Sequence, residues 1–142
     1  MIKFILLAIF SIAMAHLEGV VVVYLRKALG FNKNGSNIDF LQKFPQKYLL
    51  IERTREFATI IMLVILAILV GENWLDRIIV FLWTFAFWDL FYYVSLYILI
   101  KLPLRLNTID VLFLIPKPWI APVWVPICIS VITILAIIVY LI

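Results

Sequence analysis

Four long apolar stretches alternate with shorter polar ones along the 142-residue chain. The first runs from about Ile2 to Arg26, the second from Glu52 to Gly71, the third from Trp74 to Leu102 and the fourth from Trp119 to Ile142. A helix that crosses a bilayer needs about 20 mostly apolar residues, and each stretch has that length. The pattern predicts an all-α fold, a single integral membrane domain over residues 1–142 built as a four-helix bundle. "MIKFILLAIFSIAMA" carries the basic, apolar and small-residue pattern of a secretory signal ending at Ala15. The apolar run continues through "GVVVVYL", so the expectation is a retained first helix.

Two connecting segments have a character of their own. "GFNKNGSN" is rich in turn formers. The following "IDFLQKFPQKYLLI" mixes aromatics, leucines and lysines, as an interfacial segment does. Before the fourth helix lies "PLRLNTIDVLFLIPKPWIAPVWVP". Pro116, Pro118, Pro122 and Pro126 each lack an N–H and clash with a preceding turn, which forbids a regular helix. The segment is nonetheless apolar, so it is expected to be a Pro-rich re-entrant or interfacial element shielded by protein or lining a wet cavity. Asp110 suits the cap of a short helix there, or a place facing the same inner cavity.

Composition strengthens the membrane assignment. Hydrophobic residues make up 67% and charged residues 14%, against about 45–50% and about 25% in a soluble domain. The net charge of +4 is no nucleic-acid signature, because the basic residues flank apolar spans. One cysteine, Cys128, excludes an intrachain disulfide. Ten basic residues (Arg26, Lys27, Lys33, Lys43, Lys47, Arg53, Arg55, Lys101, Arg105 and Lys117) mark loops 1–2 and 3–4, against Lys3 and Arg77 on the other side. The positive-inside rule then puts both loops in the cytoplasm and both termini outside an inner cell membrane. The Asn34-Gly35-Ser36 sequon falls on the cytoplasmic side, which argues against its glycosylation.

Polar residues inside the spans are the candidate chemistry. At about 1.5 Å per residue, His16 lies roughly 15 Å and Glu18 roughly 12 Å from the Arg26 end. Asp89 lies roughly 18 Å from Lys101, with Tyr92 and Tyr93 one turn nearer the cytoplasm. Ser130 and Thr133 fall near the middle of the fourth helix, and Glu56 about one turn inside the second. An aspartate at mid-membrane costs ~2.5–3.5 kcal/mol on insertion scales, so these groups need partners. Asp89 is the depth-matched partner for His16. Glu18 lies about 200° around the helix from His16, so either the interior is wide enough to reach both or one of the two faces a different partner, another subunit included. In "ERTRE", Glu52 and Glu56 share a face and Arg53 reaches Glu56 at i+3. This is either a charged helix start reaching the headgroups or a route for Glu56 into the bundle.

Three readings of the cluster His16, Glu18, Glu56, Asp89, Tyr92 and Tyr93 stay open. One is interhelical glue at about 0.6 kcal/mol per hydrogen bond. Another is a metal site of His16, Glu18, Glu56 and Asp89, a donor set that suits iron or manganese, without the Glu-x-x-His pairs of di-iron bundles. The third is proton or ion movement. With a single histidine the chain cannot hold a bis-His haem, while one axial ligand to a haem or chlorophyll stays open. Trp74, Trp119 and Trp124 suit the interfacial belt. Trp83 and Trp88 are expected to pack against helices or lipid, or to seat a quinone or carotenoid.

"FWDLFYYV" and "DVLFLIPKPWIAPV" resemble segments of small bacterial four-helix integral membrane proteins of unassigned function. The shared features are Trp88-Asp89 with Tyr92-Tyr93, Asp110, the Pro116/Pro118/Trp119 segment and Arg55-Glu56, over about the C-terminal two-thirds. The resemblance implies a membrane fold and carries no catalytic residue.

The sequence has no nucleophile–base pair, phosphate loop or soluble catalytic domain, so enzymatic activity is left open. The function expected is a small polytopic membrane subunit or accessory protein of a larger assembly that handles electrons or protons. The alternatives are a membrane-embedded metalloenzyme with carboxylate and histidine ligands, and an oligomeric transporter or channel. The expected partners are the lipid bilayer and other membrane subunits or further copies of the chain, with no nucleic acid.

Overall fold

Long uninterrupted helices are what this sequence favours, because backbone polar groups satisfy one another inside a helix when water is absent. The computed structural model describes residues 2–28, 30 and 45–142. Among them the order is α1 (Ile2–Ala28), α2 (Gln46–Val70), α3 (Trp74–Ile100), β1 (Ile109–Phe113), β2 (Trp119–Pro122) and α4 (Trp124–Leu141). The protein is mostly helical. The Asn34 sequon and the start of the expected interfacial segment lie outside the described residues, and Gln46–Ile51 form the first turns of α2.

Helix ends follow local chemistry. Arg26 and Lys27 occupy the last turn of α1, where cations complement the helix dipole. The Asn73 side chain caps α3 by accepting from the Asp76 N–H at 3.0 Å. Lys101 ends α3 in the left-handed region with φ 59°. Pro126 falls in the first turn of α4, where a missing N–H leaves no intrahelical bond unmade.

Among the described residues three helices, Ile2–Ala28, Trp74–Ile100 and Trp124–Leu141, are long and apolar enough to cross a membrane. Four long helices are present as expected, and α2 is the one outside this set of three. Glu52, Arg53, Arg55 and Glu56 leave only the fourteen residues Phe57–Val70 free of charge, roughly 21 Å of helix against a core of about 30 Å. The fourth helix also begins later than expected, because Trp119–Pro122 is a strand.

That strand belongs to a short antiparallel hairpin. Ile109 faces Pro122, Asp110 faces Ala121 and Val111 faces Ile120, with an irregularity before Phe113 faces Trp119. The prolines explain the shape. Pro116 and Pro118 sit in the connection, Pro122 ends a strand of a two-stranded sheet that is all edge, and Pro126 opens α4. The Pro-rich segment is thus a hairpin, and Asp110 lies in a strand and caps no helix. Two bonds staple it to the preceding loop, Val123 N–H to Thr108 O and Trp124 N–H to Leu106 O, both 3.0 Å.

Helix α3 is the hub, packed against α1, α2 and α4. Near one end Phe4, Leu7, Ala67, Val80, Trp83 and Ile137 form one apolar cluster. The Trp83 indole donates to Phe4 O at 2.9 Å, and Lys3 pairs with Asp76 at 2.8 Å. Further along, Met14, Ala15, Leu63 and Trp88 form a second cluster. Gly19 allows α1 close to α3, since a Cβ there would stand 3.1 Å from Ser95 Cβ. Outward faces are apolar: Leu69 and Trp74 are both 77% exposed, Ile2 and Val139 both 75%. Such a surface is stable only in contact with lipid or protein.

The α2–α3 turn is equally tight. A methyl on Gly71 would lie 2.7 Å from Arg77 Cα and 2.8 Å from Ala67 O, both backbone. Gly71→Ala is expected to cost about 1–3 kcal/mol, the usual effect of overpacking, seen as a lower unfolding midpoint in detergent. An unchanged midpoint would refute the close approach.

Candidate functional site

The buried residues of α2 are Glu52, Glu56, Thr59, Leu63 and Ala67. Their spacing of three and four puts them on one stripe. That stripe is apolar toward Gly71 and polar toward Gln46. At the polar end, α1, α2, α3 and β1 converge around a cavity of about 100 Å³. Glu18 and Arg26 come from α1, Glu52, Arg55 and Glu56 from α2, Trp88, Asp89, Tyr92 and Tyr93 from α3, and Asp110 with Phe113 from β1. Phe113 seats the hairpin on α3, stacked on Phe85 with ring centroids 5.9 Å apart.

Arg55 is the electrostatic centre. It lies 3.0 Å from Glu18 Oε2 and 2.8 Å from Glu52 Oε2 through its two terminal nitrogens. Its Nε also donates to Glu52 at 3.0 Å. Glu18 is 7% exposed. Besides the guanidinium it accepts from the Thr59 hydroxyl and from the Trp88 indole N–H at 3.2 Å. A buried carboxylate needs this kind of paired, fully bonded setting.

Glu56 has a different task. Its carboxylate accepts from Leu114 N–H at 2.9 and 3.1 Å and from Ile115 N–H at 3.1 Å. It holds the connection of the hairpin against α2. Asp89 accepts from the Ser130 hydroxyl at 2.8 Å, joining α3 to α4. Tyr92 and Tyr93 meet edge to face at 5.3 Å.

Of the six residues expected to cluster, Glu18, Glu56, Asp89, Tyr92 and Tyr93 line this cavity. His16 does not. It is exposed on α1, and its Nδ1 lies 3.4 Å from Ser95 Oγ. The expected His16–Asp89 pair is therefore replaced by His16–Ser95 and Asp89–Ser130, because the helix turn that buries Glu18 carries His16 away from the cavity. His16, Glu18, Glu56 and Asp89 do not converge as metal ligands. Among the described residues, no group of three or more His, Cys, Asp or Glu side chains is placed to hold a metal ion. Thr133 donates to Ile129 O of its own helix.

Two members go beyond the expected set. Arg55, not Arg53, makes the i,i+3 pair, and it makes it with Glu52. The signal was present as the 52–56–59–63–67 spacing, which turns both glutamates inward and brings Arg55 beside them. Trp88 was expected to pack, and it also donates a hydrogen bond to Glu18. No family model, no curated protein and no solved structure matches the chain.

Proposed function

We propose that the chain is a small polytopic subunit or accessory protein of a larger assembly that handles protons or electrons in a bacterial-type inner membrane. Its cavity-bearing, basic end faces the cytoplasm in this reading, following the charge bias of the loops.

The observation that carries the reading is the outward-facing His16. It sits roughly 15 Å along α1 from Arg26, exposed, with one 3.4 Å contact to Ser95. Polar side chains at such depth almost always face protein. A neighbouring polypeptide seated over this part of α1 would meet that need. The carboxylates and tyrosines of the cavity fit an assembly that exchanges protons. The metalloenzyme alternative is weakened by His16, which lies apart from the cavity carboxylates.

Native mass spectrometry after gentle extraction from the source membrane tests this. The expected mass includes other polypeptides, and His16→Leu should lower the partner-bound fraction by about threefold in affinity, equivalent to about 0.6 kcal/mol. A chain carrying only lipid would overturn the reading. Copies of itself alone would overturn it in favour of an oligomeric transporter or channel.

A further inference from the structure

We propose that the cavity is a binding site for a small primary ammonium group, with Asp89 as its counter-ion and Tyr93 beside it. The inference goes beyond the subunit reading and does not depend on which polypeptide covers His16.

Charge comes first. Five carboxylates line the cavity, from Glu18, Glu52, Glu56, Asp89 and Asp110, against the guanidinium groups of Arg26 and Arg55. Arg55 is already held between Glu18 and Glu52, so it is not available to an anion. Among the described residues neither Glu56 nor Asp89 makes an ion pair, and in a low-dielectric wall their charge favours a cation. An anionic phosphate is thus the wrong occupant.

The second observation is independent of the acids. Tyr93 is 5% exposed and lines the cavity. Its hydroxyl makes no hydrogen bond among the described residues, so its oxygen is open to a group in the cavity. Asp89 lies four residues earlier on the same face of α3, with Ser130 bonded to only one of its carboxylate oxygens. An ammonium has three donors and no acceptor, which suits the Asp89 carboxylate and the lone pairs of the Tyr93 oxygen. The rings of Trp88, Tyr92 and Tyr93 add faces that attract a cation.

Size sets the class. A cavity of about 100 Å³ is smaller than the roughly 150 Å³ engineered cavity that takes benzene, so a group of a few heavy atoms fits. An ethylammonium moiety has that size, while a quaternary trimethylammonium is bulkier and has no N–H to donate. The moiety has two sources: a free short-chain amine, or the ethanolamine headgroup of an aminophospholipid, which the Arg26 end of α1 would meet at the membrane surface.

The test uses the full chain stripped of aminophospholipid and titrated with ethylammonium chloride by calorimetry. Saturable binding is expected, at least tenfold weaker for tetramethylammonium and at least tenfold weaker in Asp89→Asn. Tyr93→Phe keeps the ring and loses the hydroxyl, so it should weaken binding several-fold and covers the case in which Asp89→Asn does not fold. Native mass spectrometry from nanodiscs of phosphatidylethanolamine or phosphatidylcholine separates the sources. One retained phosphatidylethanolamine, lost in Tyr93→Phe, assigns the lipid headgroup, and ethylammonium binding without lipid retention assigns the free amine. No ethylammonium binding by the wild-type chain, equal binding of tetramethylammonium, or affinity unchanged in both variants would overturn the proposal.

Discussion

Arg55→Met is expected to destabilise the protein by about 3–5 kcal/mol, the cost of removing one partner from a buried ion pair. The change leaves Glu18 and Glu52, each under one-tenth exposed, without their shared cation. Arg55 itself is 27% exposed at the side chain, which places the loss toward the lower end. The check is the unfolding midpoint in detergent at neutral pH, compared with Glu18→Gln/Glu52→Gln/Arg55→Met. The triple variant removes the stranded charges together with the cation, so it should recover much of the loss. A single-variant effect within about 1 kcal/mol would mean that water screens the network as it does a surface pair.

Glu56→Ala is expected to free the hairpin connection from α2 while leaving the helices in place. The Glu56 carboxylate receives the Leu114 and Ile115 amides, and hydrogen bonds to a charged group contribute about 1.5–3 kcal/mol. Hydrogen exchange at those two amides should accelerate roughly 10- to 100-fold, at about 1.4 kcal/mol per tenfold. Amides in the middle of α3 should keep their protection. Glu56→Gln retains an acceptor oxygen and should lie between. Unchanged exchange at Leu114 and Ile115 would show that the hairpin is held by Phe113 on Phe85 and Trp88 alone.

The two experiments bear on the same cavity from opposite sides. Arg55 keeps the negative wall of α1 and α2 together, and Glu56 keeps β1 as its cover. A cavity that admits a cation needs both, since an unpaired Glu18 would itself recruit the occupant and a loose hairpin would open the space to water.

That three helices are long and apolar enough to cross a membrane was legible because it depends on composition and run length, which are properties of the chain alone. Helix α3 begins at Trp74 as expected and ends two residues earlier, since an apolar run between polar ends leaves a helix few alternatives in lipid. The hairpin was legible only as a segment that no helix could occupy. Strand pairing joins residues such as Asp110 and Ala121, and nothing in a local pattern states that register.

Depth along each helix was readable from residue count, and it put His16, Glu18, Glu56, Asp89, Tyr92 and Tyr93 inside the spans at successive levels. Rotation about each axis was not. Asp89 met Ser130 on α4 and His16 met Ser95 on α3, and the close approach of α1 to α3 at Gly19 belongs to the same packing. Arg55 took Glu18 as a partner across two helices, a contact no i+3 or i+4 rule contains. By itself the sequence determined that the chain belongs among apolar surroundings, where its helices run, and which polar groups need partners, because hydrophobic free energy and backbone hydrogen bonding act residue by residue. Only the tertiary structure decided which partner each polar group received, because that depends on how helices rotate against one another, and rotation is set by the packing of the whole bundle.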